Sequence, residues 1–92
     1  MIRTIGVIGA GTMGNGIAQV FAQSGFTVRL HDSAAGALDR ARATVEKSLA
    51  KFVEKGKLAA ADRDATLKRL ATTTALDRLS DVDYVVEAIV EN

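Results

Sequence analysis

Three glycines at positions 9, 11 and 14 and an aspartate at position 32 are the residues of this 92-residue chain whose types and spacing point to chemistry. The glycines are spaced G-x-G-x-x-G within Ile-Gly-Val-Ile-Gly-Ala-Gly-Thr-Met-Gly, residues 5–14. That chemistry is recognition of a pyrophosphate by the backbone. Gly9 lets the chain turn sharply out of a strand, with angles that a β-carbon would penalise. Gly11 lets the main chain approach the pyrophosphate, and Gly14 lets the following helix pack closely on the strand. The unpaired N–H groups that open this helix, at its positive dipole end, face the phosphates. Ala10, Thr12 and Met13 lie in the same turn and complete the expected binding stretch.

Asp32 follows Gly9 by 23 residues, directly behind the alternating Phe26, Val28 and Leu30. A carboxylate at the end of a second strand accepts hydrogen bonds from the adenosine ribose hydroxyls. A glycine-rich turn alone fits an empty β-to-α connection equally well. Strand, glycines, helix, strand and acid in that order select the binding of a dinucleotide. The same carboxylate repels a 2′-phosphate, and Ser33, Ala34 and Ala35 supply no arginine to neutralise one. The expected cofactor is therefore NAD rather than NADP. His31, the only histidine, has no partner in view and reads as a packing or surface residue, so no catalytic residue is assigned. With no cysteine, disulfides and thiolate metal sites are excluded, and no metal site is expected.

Elements must position these groups. Residues 2–8 read as a central strand, and 12–24 as a helix whose core stripe is Met13, Ile17, Val20 and Phe21, with Gln19 and Gln23 on the wet side. Gly25 ends that helix, and residues 26–31 form the second strand. Leu38, Ala41, Val45, Leu49 and Phe52 step at helical spacing through a long helix over 34–55. Gly56 closes it, and 58–70 reads as a second, antiparallel helix. Residues 72–74 are expected to form a short third strand and 84–90 a fourth, joined by a polar connection over 75–82 anchored by Leu76 and Leu79.

Right-handed crossovers place all three helices on one face of a parallel sheet of order 3-2-1-4. Ligands bind where the order reverses, at the carboxyl ends of strands one and four, between Gly9–Gly14 and the stretch Ala88, Ile89, Val90, Glu91. The fold class is thus α/β, a Rossmann-type parallel sheet with a helical pair inserted after strand two. Only 75–82 covers the opposite sheet face and nothing follows strand four. The chain is therefore expected to be part of a larger enzyme and to self-associate when isolated.

The charge of +1, from 12 basic and 11 acidic residues, offers no argument for nucleic acid or an anionic membrane as partner. No apolar run approaches the ~20 residues that span a bilayer, and the N-terminus lacks the pattern of a signal peptide, so a cytoplasmic location is expected. Residues 40–57 carry six basic side chains against two acidic ones, in the main a solvated helix face. Ser48, Lys51 and Lys55 share one side of it at i, i+3 and i+7, where a hydroxyl and two ammoniums would grip a polyanion.

With these residues in place, the chain resembles the N-terminal segment of the 3-hydroxyacyl-CoA dehydrogenase family, and within it the bacterial 3-hydroxybutyryl-CoA branch. The resemblance rests on Val-Ile-Gly-Ala-Gly-Thr-Met-Gly-Asn-Gly-Ile-Ala (7–18), Asp32, Lys-Ser-Leu-Ala-Lys-Phe-Val-Glu-Lys-Gly-Lys (47–57) and Val-Glu-Ala-Ile-Val-Glu-Asn (86–92). It implies a partial NAD-binding Rossmann domain over 1–92, hydride transfer between 3-hydroxyacyl-CoA and 3-ketoacyl-CoA, and Glu91 near the nicotinamide end. It also implies contact of Ser48 and Lys55 with the CoA moiety. A His–Glu catalytic pair and a helical, dimer-forming domain would lie beyond position 92, leaving this segment alone inactive and its parent a homodimer. An NAD-binding module without chemistry, or the cofactor domain of another β-hydroxyacid dehydrogenase, are the competing expectations.

Overall fold

Apolar residues at every other position of 5–7 and 28–30 bury one side of two short parallel strands, and the rest of the fold forms around them. The computed structural model describes residues 2–88. The elements run β1 (Thr4–Ile8), α1 (Thr12–Gln23), β2 (Thr27–His31), α2 (Ala35–Glu54), α3 (Ala60–Arg69), β3 (Leu70–Thr73), a 3-10 turn (Leu76–Leu79) and β4 (Tyr84–Glu87). The strands pair in parallel in the order β3-β2-β1-β4, as the crossover argument requires. Register aligns Ile8 with His31 and with Glu87, so the carboxyl ends of β1, β2 and β4 finish level. Ile5, Val7, Val28, Leu30 and Leu70 form a core with Leu38, Ala41, Val45 and Leu49 of α2, all buried. This bears out the periodicity read over the long helix.

On the opposite face, Leu79 and Val82 sit over Gly6, where a β-carbon would stand 3.1 Å from Val82 and 3.3 Å from Leu79. The Arg29 guanidinium fastens this connection, donating to the Arg78 carbonyl at 2.8 Å and pairing with Asp81. Tyr84 and Val85 stay exposed on β4.

Several expectations are corrected. Ile2 lies outside β1 and is exposed, because the Arg3 and Thr4 N–H groups turn to the Asp83 carboxylate at 2.8 and 2.9 Å. The buried row of α1 is Gly14, Asn15, Ala18 and Ala22, while Met13 and Val20 are 49% and 62% exposed. Contact with the sheet admits only the smallest side chains, and this sets the rotation of the helix, leaving Ile17 and Phe21 on its flank. Gln19 is not on the wet side: its Nε2 donates to Ser48 Oγ of α2 at 2.9 Å. The third strand begins at Leu70 rather than 72, and Leu70, opposite Val28, is its apolar anchor. Leu58 precedes α3, and Leu76 is exposed rather than an anchor. Ile89, Val90 and Glu91, expected to continue strand four and line the crevice, lie outside the described residues.

Candidate functional site

The turn out of β1 is built as its glycines suggest. Gly9 has φ +103°, a left-handed backbone that side chains disfavour, and its N–H donates to the His31 carbonyl at 2.8 Å. A β-carbon on Gly14 would fall 1.7 Å from the Gly9 carbonyl oxygen and 3.4 Å from Ala88 Cβ. Nothing lies within 4 Å of a β-carbon placed on Gly11, which faces open space at the mouth of the turn. The second glycine is thus the one whose missing side chain leaves room for something external.

Gly11 is the N-cap of α1 and offers no side-chain cap, and the first turn holds no acidic residue. Its carbonyl already accepts the Asn15 N–H at 2.9 Å. Among the described residues, the opening N–H groups of α1 have no protein acceptor, and the positive end of the helix stands open to an anion.

Asp32 leaves the end of β2 and aims its carboxylate at this turn. Oδ2 accepts the Ala10 N–H at 2.9 Å and Oδ1 accepts the Ala34 N–H at 2.9 Å. These two backbone bonds, that of Ala10 foremost, hold the carboxyl below the usual carboxylate range, and His31 and Arg40 nearby lower it further. A carboxylate oxygen takes more than one hydrogen bond, so acceptor capacity remains for a diol.

A cleft of about 350 Å³ opens here, bounded by Ala10, Gly11 and Thr12, by Asp32, and by the flank of α2 from Ala37 to Thr44. Two further residues line it that the sequence reading did not single out. Asn15 is 8% exposed, and its Oδ1 is buried without a hydrogen-bond partner among the described residues. Arg40 enters from the second turn of α2. The loop after Asp32 holds no arginine, as expected, yet the helix returns one to the same cleft. A larger hollow of about 680 Å³ lies beside β3, but its Arg29 is already paired with Asp81.

Ala88 closes the other side of the turn: it is buried and its N–H donates to the Ile8 carbonyl at 2.8 Å. Met13 and Thr12 are exposed at the start of α1. Ile89 and Glu91 lie outside the described residues. His31 lends the turn its carbonyl, and its Nδ1 is buried without a partner among the described residues. Ser48, Lys51 and Lys55 do not line the cleft; Ser48 is half-buried against Gln19, whereas both lysines are exposed near the far end of α2. Among the described residues no group of His, Asp or Glu could hold a metal ion, and no helix is long and apolar enough to cross a membrane.

Residues 4–92 match the family model of the 3-hydroxyacyl-CoA dehydrogenase NAD binding domain. A probable 3-hydroxybutyryl-CoA dehydrogenase of Deinococcus radiodurans is 58% identical over 87 residues, 95% of this chain and 31% of that protein. The 3-hydroxybutyryl-CoA dehydrogenase of Mycobacterium tuberculosis H37Rv is 42% identical over 91 residues, 32% of its length. The crystal structure of (S)-3-hydroxybutyryl-CoA dehydrogenase from Ralstonia eutropha superposes with a TM-score of 0.96 at 44% identity, covering 100% of this chain and 32% of that one. The Escherichia coli K12 3-hydroxybutyryl-CoA dehydrogenase structure also gives 0.96, at 43% identity and 20% of its chain. The chain spans about a third of the length of the curated relatives it matches.

Proposed function

We propose, from the premise that this chain belongs to the 3-hydroxyacyl-CoA dehydrogenase NAD binding domain family, that it is the cofactor-holding part of an enzyme interconverting 3-hydroxyacyl-CoA and 3-ketoacyl-CoA. NAD is the cofactor of such a domain, and the cleft fits it: uncapped N–H groups for the pyrophosphate, open space at Gly11, and a carboxylate fixed beside the turn by the Ala10 N–H. NAD, when bound, supplies the hydride acceptor. The backbone from Gly9 to Gly14 orients the pyrophosphate, Asp32 accepts from the adenosine ribose, Ala88 and Ile89 belong to the cofactor-binding set, and Glu91 is assigned to the nicotinamide end by the family resemblance. Ser48 and Lys55 meet the CoA portion of the substrate on the outer end of α2. The catalytic pair and the dimer-forming helical domain belong to the remaining two thirds of the protein.

The observation that carries this reading is Asp32, whose carboxylate is drawn onto the glycine turn by the Ala10 N–H and steadied on its other oxygen by the Ala34 N–H. Titration calorimetry with NAD, beside an acetoacetyl-CoA reduction assay, tests it on the 92-residue chain and the full-length protein. Binding by both with turnover only in the full-length protein is the expected result. A folded full-length protein that binds NAD but reduces no acyl-CoA would point to a cofactor module or another β-hydroxyacid dehydrogenase. One that ignores NAD would overturn the assignment.

A further inference from the structure

Arg40 stands eight positions past Asp32 and lines the same cleft. Its guanidinium folds back along α2 over Gly36, where an added β-carbon would sit 3.4 Å from Nη1. Among the described residues the guanidinium makes no ion pair and donates no hydrogen bond; beyond the helix's own backbone bonding, the Arg40 carbonyl accepts the Thr44 hydroxyl. Asp32, in contrast, is held on both oxygens by backbone N–H groups. Among the described residues the cleft therefore contains one fixed anion and one uncommitted cation.

A ribose 2′-hydroxyl needs an acceptor, which Asp32 provides. A 2′-phosphate needs donors and positive charge. A guanidinium supplies both in a planar fork matched to phosphate oxygens. We propose that Arg40 is a specificity residue of the adenosine subsite, able to take a 2′-phosphate and denied one only by the charge of Asp32. The inference rests on reading the cleft as the adenosine end of the NAD site. It deepens that reading: preference for NAD follows from a single repelling carboxylate and not from the lack of a cation.

The test measures affinities for NAD and NADP by calorimetry in the full-length protein, for wild type, Asp32→Asn, and Asp32→Asn combined with Arg40→Gln. Asparagine keeps one acceptor for the turn and removes the charge. The ratio of NADP to NAD affinity is expected to rise about tenfold or more in Asp32→Asn, and to fall back to within about threefold of wild type in the double variant. Arg40→Lys in place of Gln should keep part of the gain. A double variant that retains the whole gain overturns the proposal.

Should Asp32→Asn fail to fold, Arg40→Gln in the wild-type background decides instead, with 2′,5′-ADP and AMP as probes. The ratio of 2′,5′-ADP to AMP affinity should fall about fivefold; an equal effect on both removes Arg40 from the subsite. Wild-type protein that is folded but binds no NAD would strike the underlying reading, a result distinct from either outcome.

Discussion

Asp32 and Ala10, 22 positions apart, are joined by a 2.9 Å hydrogen bond from the Ala10 N–H to Oδ2, so the carboxylate proposed to hold the ribose also clasps the glycine turn to β2. One residue thus carries two roles that truncation removes together. Asp32→Ala is expected to lower stability by about 1.5 kcal/mol, the scale of a hydrogen bond to a charged group. It should also weaken NAD far more than NADP, since only NAD loses an attractive contact. Urea melts and calorimetry on the full-length protein check the two effects. Equal loss for both nucleotides would refute the ribose role while leaving the clasp intact.

Acid should loosen that clasp. Backbone bonds from Ala10 and Ala34 lower the Asp32 pKa in the folded state, so its contribution is complete above the unfolded value of about 3.9 and is lost as pH falls through the folded value. Asp83, held by the Arg3 and Thr4 N–H groups, behaves alike. A difference between wild type and Asp32→Asn therefore isolates Asp32. The gap in Tm is expected to be widest above about pH 5 and to narrow below about pH 4. Thermal melts across that range measure it, and a constant gap would mean the carboxylate is not held by its ionised form.

Gly11 and Gly14 should separate binding from folding. An alanine at 14 would drive a β-carbon into the Gly9 carbonyl, and the forced shift between turn and helix is expected to cost about 2–4 kcal/mol. At Gly11 the backbone has φ −72° with open space around it. Gly11→Ala should leave stability within about 0.5 kcal/mol of wild type, yet reduce NAD affinity by at least about tenfold, because the methyl occupies the approach of the pyrophosphate. Melting curves with calorimetry distinguish the pair. A Gly11→Ala protein that binds NAD normally would place the pyrophosphate elsewhere.

The turn, the strand order and the position of Asp32 at the end of β2 were legible because each leaves a local signal in the sequence: a glycine needed at φ +103°, a carboxylate closing an alternating strand, crossovers of one hand. What was hidden depends on contacts between distant segments. The rotation of α1 is set by Gly14 meeting Gly9 and Ala88, and that contact outweighs the larger apolar side chains of the helix. Leu70 lies where a helical stripe and a strand overlap, and only its pairing with Val28 assigns it to β3. Arg40 reaches the cleft because α2 packs back against α1, which no spacing from Asp32 announces.

Ser48 binds Gln19 rather than standing free, so its proposed substrate role has a structural partner. Lys55, exposed just past the end of α2, has none among the described residues. Lys55→Ala is expected to raise the KM for acetoacetyl-CoA about fivefold with stability within about 0.5 kcal/mol of wild type, as for a surface charge facing phosphate. Steady-state kinetics on the full-length protein, at low and high salt, check this. An unchanged KM at low salt would remove Lys55 from the CoA site.

Val20 and Ala18 reverse the order expected from hydropathy. Val20 is 62% exposed and Ala18 is fully buried, so the larger side chain is the dispensable one in the 92-residue chain. Val20→Lys should change its stability by no more than about 0.5 kcal/mol. Ala18→Val, which adds two methyl groups where the helix lies on the sheet, should cost about 1–3 kcal/mol by overpacking. Were α1 turned as its Met13-Ile17-Val20 spacing suggests, the costs would be exchanged, with the buried ammonium the more damaging by far. Denaturant melts of the two variants decide between the orientations. The result also bears on the cofactor site, because turning α1 would carry Gly14 off Gly9 and swing the uncapped N–H groups away from Asp32.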